Sequence, residues 1–255
     1  PGGTAFPEIQ IHIGGHCANV SIDLVKLGFP KTSVITTGAL GMDSFGDFVH
    51  DTLLSYGMTC CPYKTEKART SMTFIPLEKD GTRRLFCHIG ANSFLSPGFI
   101  KELIVKENPL VLYLGAVGML GAVYDELVSI LELAKSHRCI TVIDPIIPPG
   151  KTWDNIDKAS PLIDIFHCNN DEAKDMTGSG DEESVIRQLL ARGIALPVVS
   201  MGGQGLVFGY KESIYKLPPF RVTLADATGA GDAFCAGIIK KIIDLKGQSL
   251  KKSFC

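Results

Sequence analysis

The segment with the most chemical content runs from Asp226 to Phe234 and reads Asp-Ala-Thr-Gly-Ala-Gly-Asp-Ala-Phe. Gly229 and Gly231 permit backbone angles and close approaches that a Cβ atom would forbid. The residues that follow are small or apolar at helical spacing, which predicts a helix that begins inside the segment. A glycine turn that leads into a helix presents unpaired N–H groups and the positive end of the helix dipole, so it suits an anion.

Asp232 places a carboxylate beside this predicted anion site. A carboxylate does not bind phosphate, and the simplest chemical reason for its presence is general-base catalysis on a hydroxyl that attacks phosphorus. The alternative is structural, since Asp226 would cap the helix and the glycines would only form a tight turn. These nine residues alone do not decide between the catalytic and the structural interpretation. The rest of the chain must supply the deciding evidence.

Composition narrows the class of protein. The 255 residues are 45% hydrophobic, and 27 acidic against 25 basic residues give a net charge of −2. These values predict one globular domain with a large core, and neither nucleic acid nor a membrane surface as partner. Eight cysteines are scattered without a C-x-x-C pair, which favours reduced thiols and a cytoplasmic location.

Apolar strands and helical patterns alternate along the second half of the chain. Continuous apolar strands between helices predict an α/β fold with a mainly parallel sheet covered on both faces. Ligands bind at the carboxyl ends of such strands. Four features fall at predicted strand ends and could converge there: Asp144, Asn169, Gly202 and the 226–232 turn.

The first half of the chain is less regular. Residues 9–13 alternate between apolar and polar side chains, which predicts a strand. A predicted helix then begins after Gly14-Gly15 and ends at Gly28. The stretch 38–41 is interpreted as a turn. Two β-rich stretches within residues 69–88, joined by Asp-Gly, predict a hairpin that is a candidate lid or second sheet.

Motifs at both ends of the chain resemble the ribokinase-like (PfkB) family of small-molecule kinases. Near the start, Gly14-Gly15-His16-Cys17-Ala18-Asn19 and a G-x-x-G-x-D-x-x-G at 38–46 are similar to the family's N-terminal signature. Residues 226–232 match its D-x-T-G-A-G-D. Between them, and in the family's order, lie Gly90-Ala91-Asn92, Asn169-Asn170-Asp171-Glu172 and Gly202-Gly203-Gln204-Gly205. Several motifs in the right order make a coincidence improbable.

The resemblance implies a three-layer α/β/α domain over residues 1–255, with a small β lid that includes 69–88. It implies ATP-dependent phosphorylation of a sugar hydroxyl, with Asp232 as the base. The amides of Gly229, Ala230 and Gly231 would form the anion hole for the phosphoryl group. In this family such lids often pair across a dimer, which implies a homodimer.

The resemblance also assigns binding residues. Those expected to contact substrate hydroxyls are Gly14, Gly15, Asn19, Asn92 and Asp232. Those expected to line the ATP site are Asn169, Ser200, Gly202, Gly205, Gly229 and Gly231. Glu172 would organise Mg²⁺, partly through water. In some members the equivalents of Asp226 and Thr228 bind a monovalent cation, which implies a K⁺ site.

Several of these positions also have structural explanations. Asn169 could cap the following helix, with Glu172 as its capping-box partner. Asp144 is interpreted as part of a structural turn with Pro145. His16 occupies a position that the motif leaves variable, where it could touch substrate or be an exposed turn histidine.

Two features of the family are missing from the sequence: its first strand, with a substrate-binding Asp, and the segments that wall the adenine. We therefore expect the sequence to be incomplete at both ends. A sugar kinase is the leading hypothesis. A nucleoside kinase of the same fold and a non-catalytic sugar or nucleotide sensor are the alternatives.

Overall fold

The computed structural model describes residues 8–76, 84–148, 150–223 and 227–252. The α-helices are α1 (His16–Lys26), α2 (Ser44–Ser55), α3 (Pro97–Glu107), α4 (Ala122–Asp125), α5 (Leu127–Ser136), α6 (Asp154–Ala159), α7 (Asn170–Thr177), α8 (Glu182–Ala191) and α9 (Ala230–Lys252). The strands are β1 (Ile35–Thr36), β2 (Ala39–Gly41), β3 (Thr59–Cys60), β4 (Tyr63–Thr65), β5 (Met72–Phe74), β6 (Phe86–His88), β7 (Val111–Gly115), β8 (Ile140–Asp144), β9 (Ile165–Asn169), β10 (Leu196–Ser200), β11 (Leu206–Tyr210) and β12 (Ser213–Leu217).

A six-stranded sheet in the order β12-β11-β10-β9-β8-β7 forms the centre of the domain. Strands β7 to β10 are parallel, and β11 and β12 add antiparallel pairs at one side. Gly115 pairs with Asp144, and Ser200 pairs with Asn169. The register therefore aligns the carboxyl ends of the four parallel strands along one edge.

Helices cover both faces of this sheet. On one face α1 and α9 pack against the strands through a cluster that contains Val20, Val142 and Ile239. The next residue of β8, Ile143, belongs to a second cluster that also includes buried residues of α3, α5 and α8. Because successive strand residues point to opposite faces, these clusters form two separate layers. The α/β fold with three layers and a mainly parallel sheet is confirmed.

Two predictions for the first half of the chain are wrong. Residues 9–13 form no strand: they pair with no strand in the described chain, and Ile9 is 75% exposed. Alternation gives a strand only where a partner accepts its backbone hydrogen bonds. Residues 39–41 are strand β2, paired in parallel with β4, instead of a turn. Gly41 is needed for close packing, since a Cβ there would lie 2.6 Å from the backbone nitrogen of Thr70.

Strands β5 and β6 pair antiparallel as a separate two-stranded sheet, as expected of the hairpin at 69–88. Its Asp-Gly turn lies outside the described residues. The side chains of Phe74 and Phe86 contact each other, with ring centroids 6.5 Å apart, and both are exposed. Among the described residues, none of the helices has the length and hydrophobicity needed to cross a membrane.

Candidate active site

Helix α9 begins inside the glycine turn, as the sequence predicts. Gly229 has φ +80°, a conformation that L side chains rarely adopt. The turn is closed by two backbone bonds: Ala230 N–H donates to the Ala227 carbonyl at 3.2 Å, and Ala233 N–H donates to the Gly229 carbonyl at 2.9 Å. Asp232 therefore sits in the first helical turn. Asp226 lies outside the described residues, and Thr228 belongs to the same turn.

Asp232 is only 7% exposed and is contacted from α1. Its Oδ2 accepts a hydrogen bond of 2.7 Å from Asn19 Nδ2. Its Oδ1 is buried and lies 3.1 Å from His16 Nδ1. Burial raises the pKa of the Asp232 carboxyl, whereas the nearby His16 and the Asn19 hydrogen bond oppose this rise. The two motif-bearing ends of the chain thus meet at one carboxylate.

His16 points into the protein instead of lying exposed on the turn. Its Nδ1 is 3.5 Å from Asp144 Oδ2 and 3.4 Å from the Tyr113 hydroxyl, and its side chain is 21% exposed. Burial lowers the pKa of His16, but Asp144 and Asp232 outweigh that effect, so the pKa is raised. The charged form of His16 is therefore favoured by two neighbouring carboxylates.

Asp144 is more than a turn residue. It is buried, and its Oδ2 also lies 3.1 Å from His167 Nδ1 and 3.6 Å from Cys235 Sγ. Burial opposes its ionisation, but the contacts with His16 and His167 hold the pKa of this carboxyl well below its usual range. Asp144 thus carries a fixed negative charge behind Asp232.

Two glycines make room for the histidines. A Cβ on Gly115, at the end of β7, would lie 2.3 Å from His16 Cβ. A Cβ on Gly231 would lie 3.2 Å from His167 Cε1, and the His167 ring also packs on Phe234, with centroids 5.0 Å apart. Gly231 therefore has a packing role in addition to any role of its amide.

Sequence reasoning missed three members of this cluster: Tyr113, His167 and Cys235. Tyr113 and His167 each stand two residues before the end of a buried parallel strand. A polar side chain at that position shares a face with the strand's last residue, and this spacing could have identified both. Cys235 carries no such signal, because a cysteine in an apolar helix resembles any buried thiol.

Close donor atoms form two groups among the described residues: Asp144 with His167 and Cys235, and His16 with Asp144 and Asp232. The contacts of the two carboxylates with His16, His167 and the Cys235 thiol account for these distances without a metal ion. We therefore interpret both groups as one buried charge network.

The second predicted site lies at the ends of β9 and β10. Asn169 caps α7 through Glu172 N–H at 2.9 Å, and Glu172 Oε2 accepts from Asn169 N–H at 2.9 Å. The capping box is therefore present. Burial raises the pKa of Glu172. Ser200 pairs with Asn169 in the sheet, so the three residues are neighbours.

The remaining predicted residues are arranged around these two centres. Gly15 is the N-cap of α1, directly after Gly14. Asn92 lies on a 3₁₀ helix, and its Oδ1 accepts from Ala39 N–H at 3.1 Å, so it is tied to β2 and not to Asp232. Gly202 begins the turn after β10, and a Cβ on Gly205 would lie 2.1 Å from the Leu217 carbonyl oxygen.

Known proteins resemble this chain over nearly its whole length. The family described as pfkB family carbohydrate kinase matches residues 3–254. A ribokinase of Staphylococcus aureus is 27% identical over 235 residues, which cover 90% of this chain and 74% of the relative. Fructokinase-2 of Solanum lycopersicum is 27% identical over 247 residues, which cover 91% of this chain and 73% of the relative.

Solved structures share the fold. A ribokinase from Giardia lamblia matches with a TM-score of 0.80 at 19% identity, covering 96% of this chain and 80% of that one. An adenosine kinase from Anopheles gambiae matches with a TM-score of 0.77 at 17% identity, covering 91% and 75%. The chain belongs to the pfkB family of carbohydrate kinases.

Proposed function

We propose that this protein transfers the γ-phosphoryl group of ATP to a hydroxyl of a small sugar, with Asp232 as the general base. The observation that carries the proposal is the 2.7 Å bond between Asn19 and Asp232, which joins the two family motifs at one buried carboxylate. The relatives named ribokinase and fructokinase support a sugar as the acceptor.

In the proposed reaction Asp232 takes the proton of the attacking hydroxyl. The sugar oxygen then forms its bond to the γ-phosphorus as the bond to the leaving ADP breaks. Burial raises the pKa of Asp232, which makes the carboxylate a stronger base than an exposed aspartate. General-base catalysis of this kind typically contributes about 10²–10⁴ in rate.

The backbone amides of Gly229, Ala230 and Gly231 are proposed to stabilise the negative charge on the transferring phosphoryl group. They stand at the N-terminus of α9, where the helix dipole favours an anion. Ala230 N–H already donates to Ala227 at 3.2 Å. It would have to share or exchange this long bond, so Gly229 and Gly231 are the stronger candidates.

Substrate hydroxyls are proposed to bind at the Gly14-Gly15 turn, Asn19 and Asn92. Cβ atoms built on Gly14 and Gly15 would meet nothing within 4 Å, so the described chain leaves space beside this turn. An Asn side chain both donates and accepts, which suits a sugar hydroxyl. Asn92 uses its oxygen on Ala39, so its Nδ2 group is the donor it could offer.

The nucleotide is proposed to lie over Asn169, Ser200, Gly202 and Gly205, at the carboxyl ends of β9 and β10. Glu172 fits a role near Mg²⁺: one carboxylate oxygen holds the capping box, and Oε1 makes no hydrogen bond within the described residues. A hard carboxylate oxygen is a ligand type that Mg²⁺ and its waters accept. When bound, Mg²⁺ would neutralise phosphate charge. The K⁺ site at Asp226 and Thr228 stays a prediction.

The β5–β6 sheet stays a predicted lid. Closure over the substrate would exclude water and limit ATP hydrolysis. Its exposed apolar side chains, among them Phe74 and Phe86, are compatible with the predicted homodimer. Sedimentation that finds only monomer at micromolar concentration would count against that dimer.

A substrate panel tests the proposal. ADP release is measured with ATP and Mg²⁺ against ribose, fructose and adenosine. Stimulation by a sugar supports the proposal, and stimulation by adenosine alone identifies a nucleoside kinase instead. Binding of sugar or ATP without turnover would favour the sensor hypothesis.

A further inference from the structure

We propose that His16, held in place by Asp144, is a positioning residue that keeps Asp232 ionised as the base. The inference rests on the proposed function and adds two residues to it. Neither belongs to the predicted catalytic or binding set. His16 occupies a variable position of the Gly-Gly motif, and Asp144 is interpreted from sequence as a turn residue.

The first argument is geometric. His16 and Asn19 are three residues apart in the first turn of α1, and this spacing places both side chains on one face of the helix. His16 Nδ1 lies 3.1 Å from Asp232 Oδ1, and Asn19 Nδ2 lies 2.7 Å from Oδ2. One helical turn therefore supplies a hydrogen bond to Oδ2 and an ion-pair contact to Oδ1, which makes no hydrogen bond within the described residues.

The second argument concerns charge. Asp144 and Asp232 are both buried, and neighbouring carboxylates oppose each other's ionisation. His16 Nδ1 contacts both, at 3.5 Å and 3.1 Å. As an imidazolium it allows both to be ionised at once. The N-terminus of α1 disfavours a cation, but this effect is weaker than that of an opposite charge in direct contact.

Other titratable groups also face this cluster. They come from each packed element: Tyr113 on β7, His167 on β9, Glu172 on α7, Asp23 and Cys17 on α1, and Cys235 on α9. None of the described groups other than His16 brings a ring nitrogen to Asp232 Oδ1. The assignment to His16 therefore follows from contact, and not from the overall charge of the cluster.

The test uses the pH dependence of kcat/KM with whichever substrate the panel identifies. His16→Asn keeps a donor near the Nδ1 position but removes the charge. It should shift the acidic limb to higher pH by about one unit or more, with kcat/KM recovering at high pH. His50→Asn is the matched control, because His50 lies beside the exposed Asp51 at 3.5 Å. An equal loss at every pH, or no loss, would overturn the proposal.

A second measurement does not depend on turnover. The proton NMR titration of His16, assigned with His16→Asn, should give a pKa above the usual value of about 6.5, and Asp144→Asn should lower it. An unchanged titration in Asp144→Asn would refute the role of Asp144. If Asp232→Asn kept full turnover, the proposed function would fail instead, so the two failures are distinguishable.

Discussion

Asn19 and Asp232 are 213 residues apart in the chain, yet the Asn19 amide donates to the Asp232 carboxylate at 2.7 Å. The contact exists because α1 and α9 pack side by side on one face of the sheet. It brings the proposed substrate-binding motif and the proposed phosphoryl-transfer motif to the same carboxylate.

Substitution of Asn19 should therefore affect the chemistry as well as binding. Asn19→Ala removes a hydrogen bond to a charged group, worth about 1.5–3 kcal/mol, and should lower kcat/KM about tenfold or more. Asn19→Asp places a second carboxylate against Asp232, which should raise the pKa of the pair and shift the acidic limb to higher pH. Steady-state kinetics across pH measure both effects. Full activity in both variants would exclude a role for this contact.

Gly231 and Gly237 provide a matched pair on α9. A Cβ on Gly231 would lie 3.2 Å from the buried His167 ring, whereas a Cβ on Gly237 would meet nothing within 4 Å. Gly237→Ala should raise stability by up to about 1 kcal/mol. Gly231→Ala should give no such gain and should lower turnover, because His167 must move. Urea unfolding and ADP release measure the two effects. Equal stabilisation of both variants would contradict the packing role of Gly231.

Substitutions in the capping box of Asn169 and Glu172 can distinguish its contribution to stability from its proposed role near Mg²⁺. Asn169→Ala should cost about 1 kcal/mol in unfolding free energy. Glu172→Gln keeps an acceptor for Asn169 N–H, since Gln also serves in a capping box, but removes the charge. It should leave stability nearly unchanged while it raises the Mg²⁺ concentration needed for half-maximal turnover. An unchanged Mg²⁺ requirement would show that Glu172 serves only in the capping box.

The pH dependence of stability tests the buried charge network. The folded pKa of Asp144 is lowered, so its contribution is present above about pH 4 and is lost on acidification. The folded pKa of His16 is raised, so its contribution is present below about pH 6.5 and is lost as pH rises through the folded value.

Asp144→Asn should therefore reduce the melting temperature most between about pH 4 and pH 6.5. Asp51→Asn, which removes the exposed carboxylate beside His50, is the control and should have little effect at any pH. Circular dichroism at pH 3, 5.5 and 8.5 measures the difference. An equal loss at all three pH values would indicate that Asp144 acts through packing alone.

The parallel strands and most of their helices were predictable, because buried apolar runs, caps and glycines are local signals. Ser96 and Asp43, for example, cap α3 and α2, and both are residue types that favour the N-cap position. The prediction of a strand at 9–13 was wrong because a strand needs a pairing partner, which the local alternation of apolar and polar residues does not reveal. The break between α4 and α5 was not predictable either, because no Gly or Pro lies within 122–136.

The candidate site could be predicted from the sequence where it contains a family motif, but not where it depends on packing. Asp232, Asn19 and the Asn169–Glu172 pair were found from motifs. The sequence does not decide between substrate contact and an exposed turn for His16, and it favours a structural turn for Asp144. Their contact arises only when α1 packs over the end of β7, where Gly115 has no Cβ to exclude His16. No local pattern in the sequence encodes that approach.

The most direct test of the central claim is the turnover of Asp232→Asn with ATP and the sugar that the wild-type protein phosphorylates. Asparagine keeps the shape of the side chain and an oxygen that can accept the hydrogen bond from Asn19. It cannot accept the hydroxyl proton as a carboxylate does. The account predicts a fall in kcat of about 10²–10⁴, with sugar binding retained in a calorimetric titration. A kcat within a few-fold of wild type would contradict Asp232 as the base.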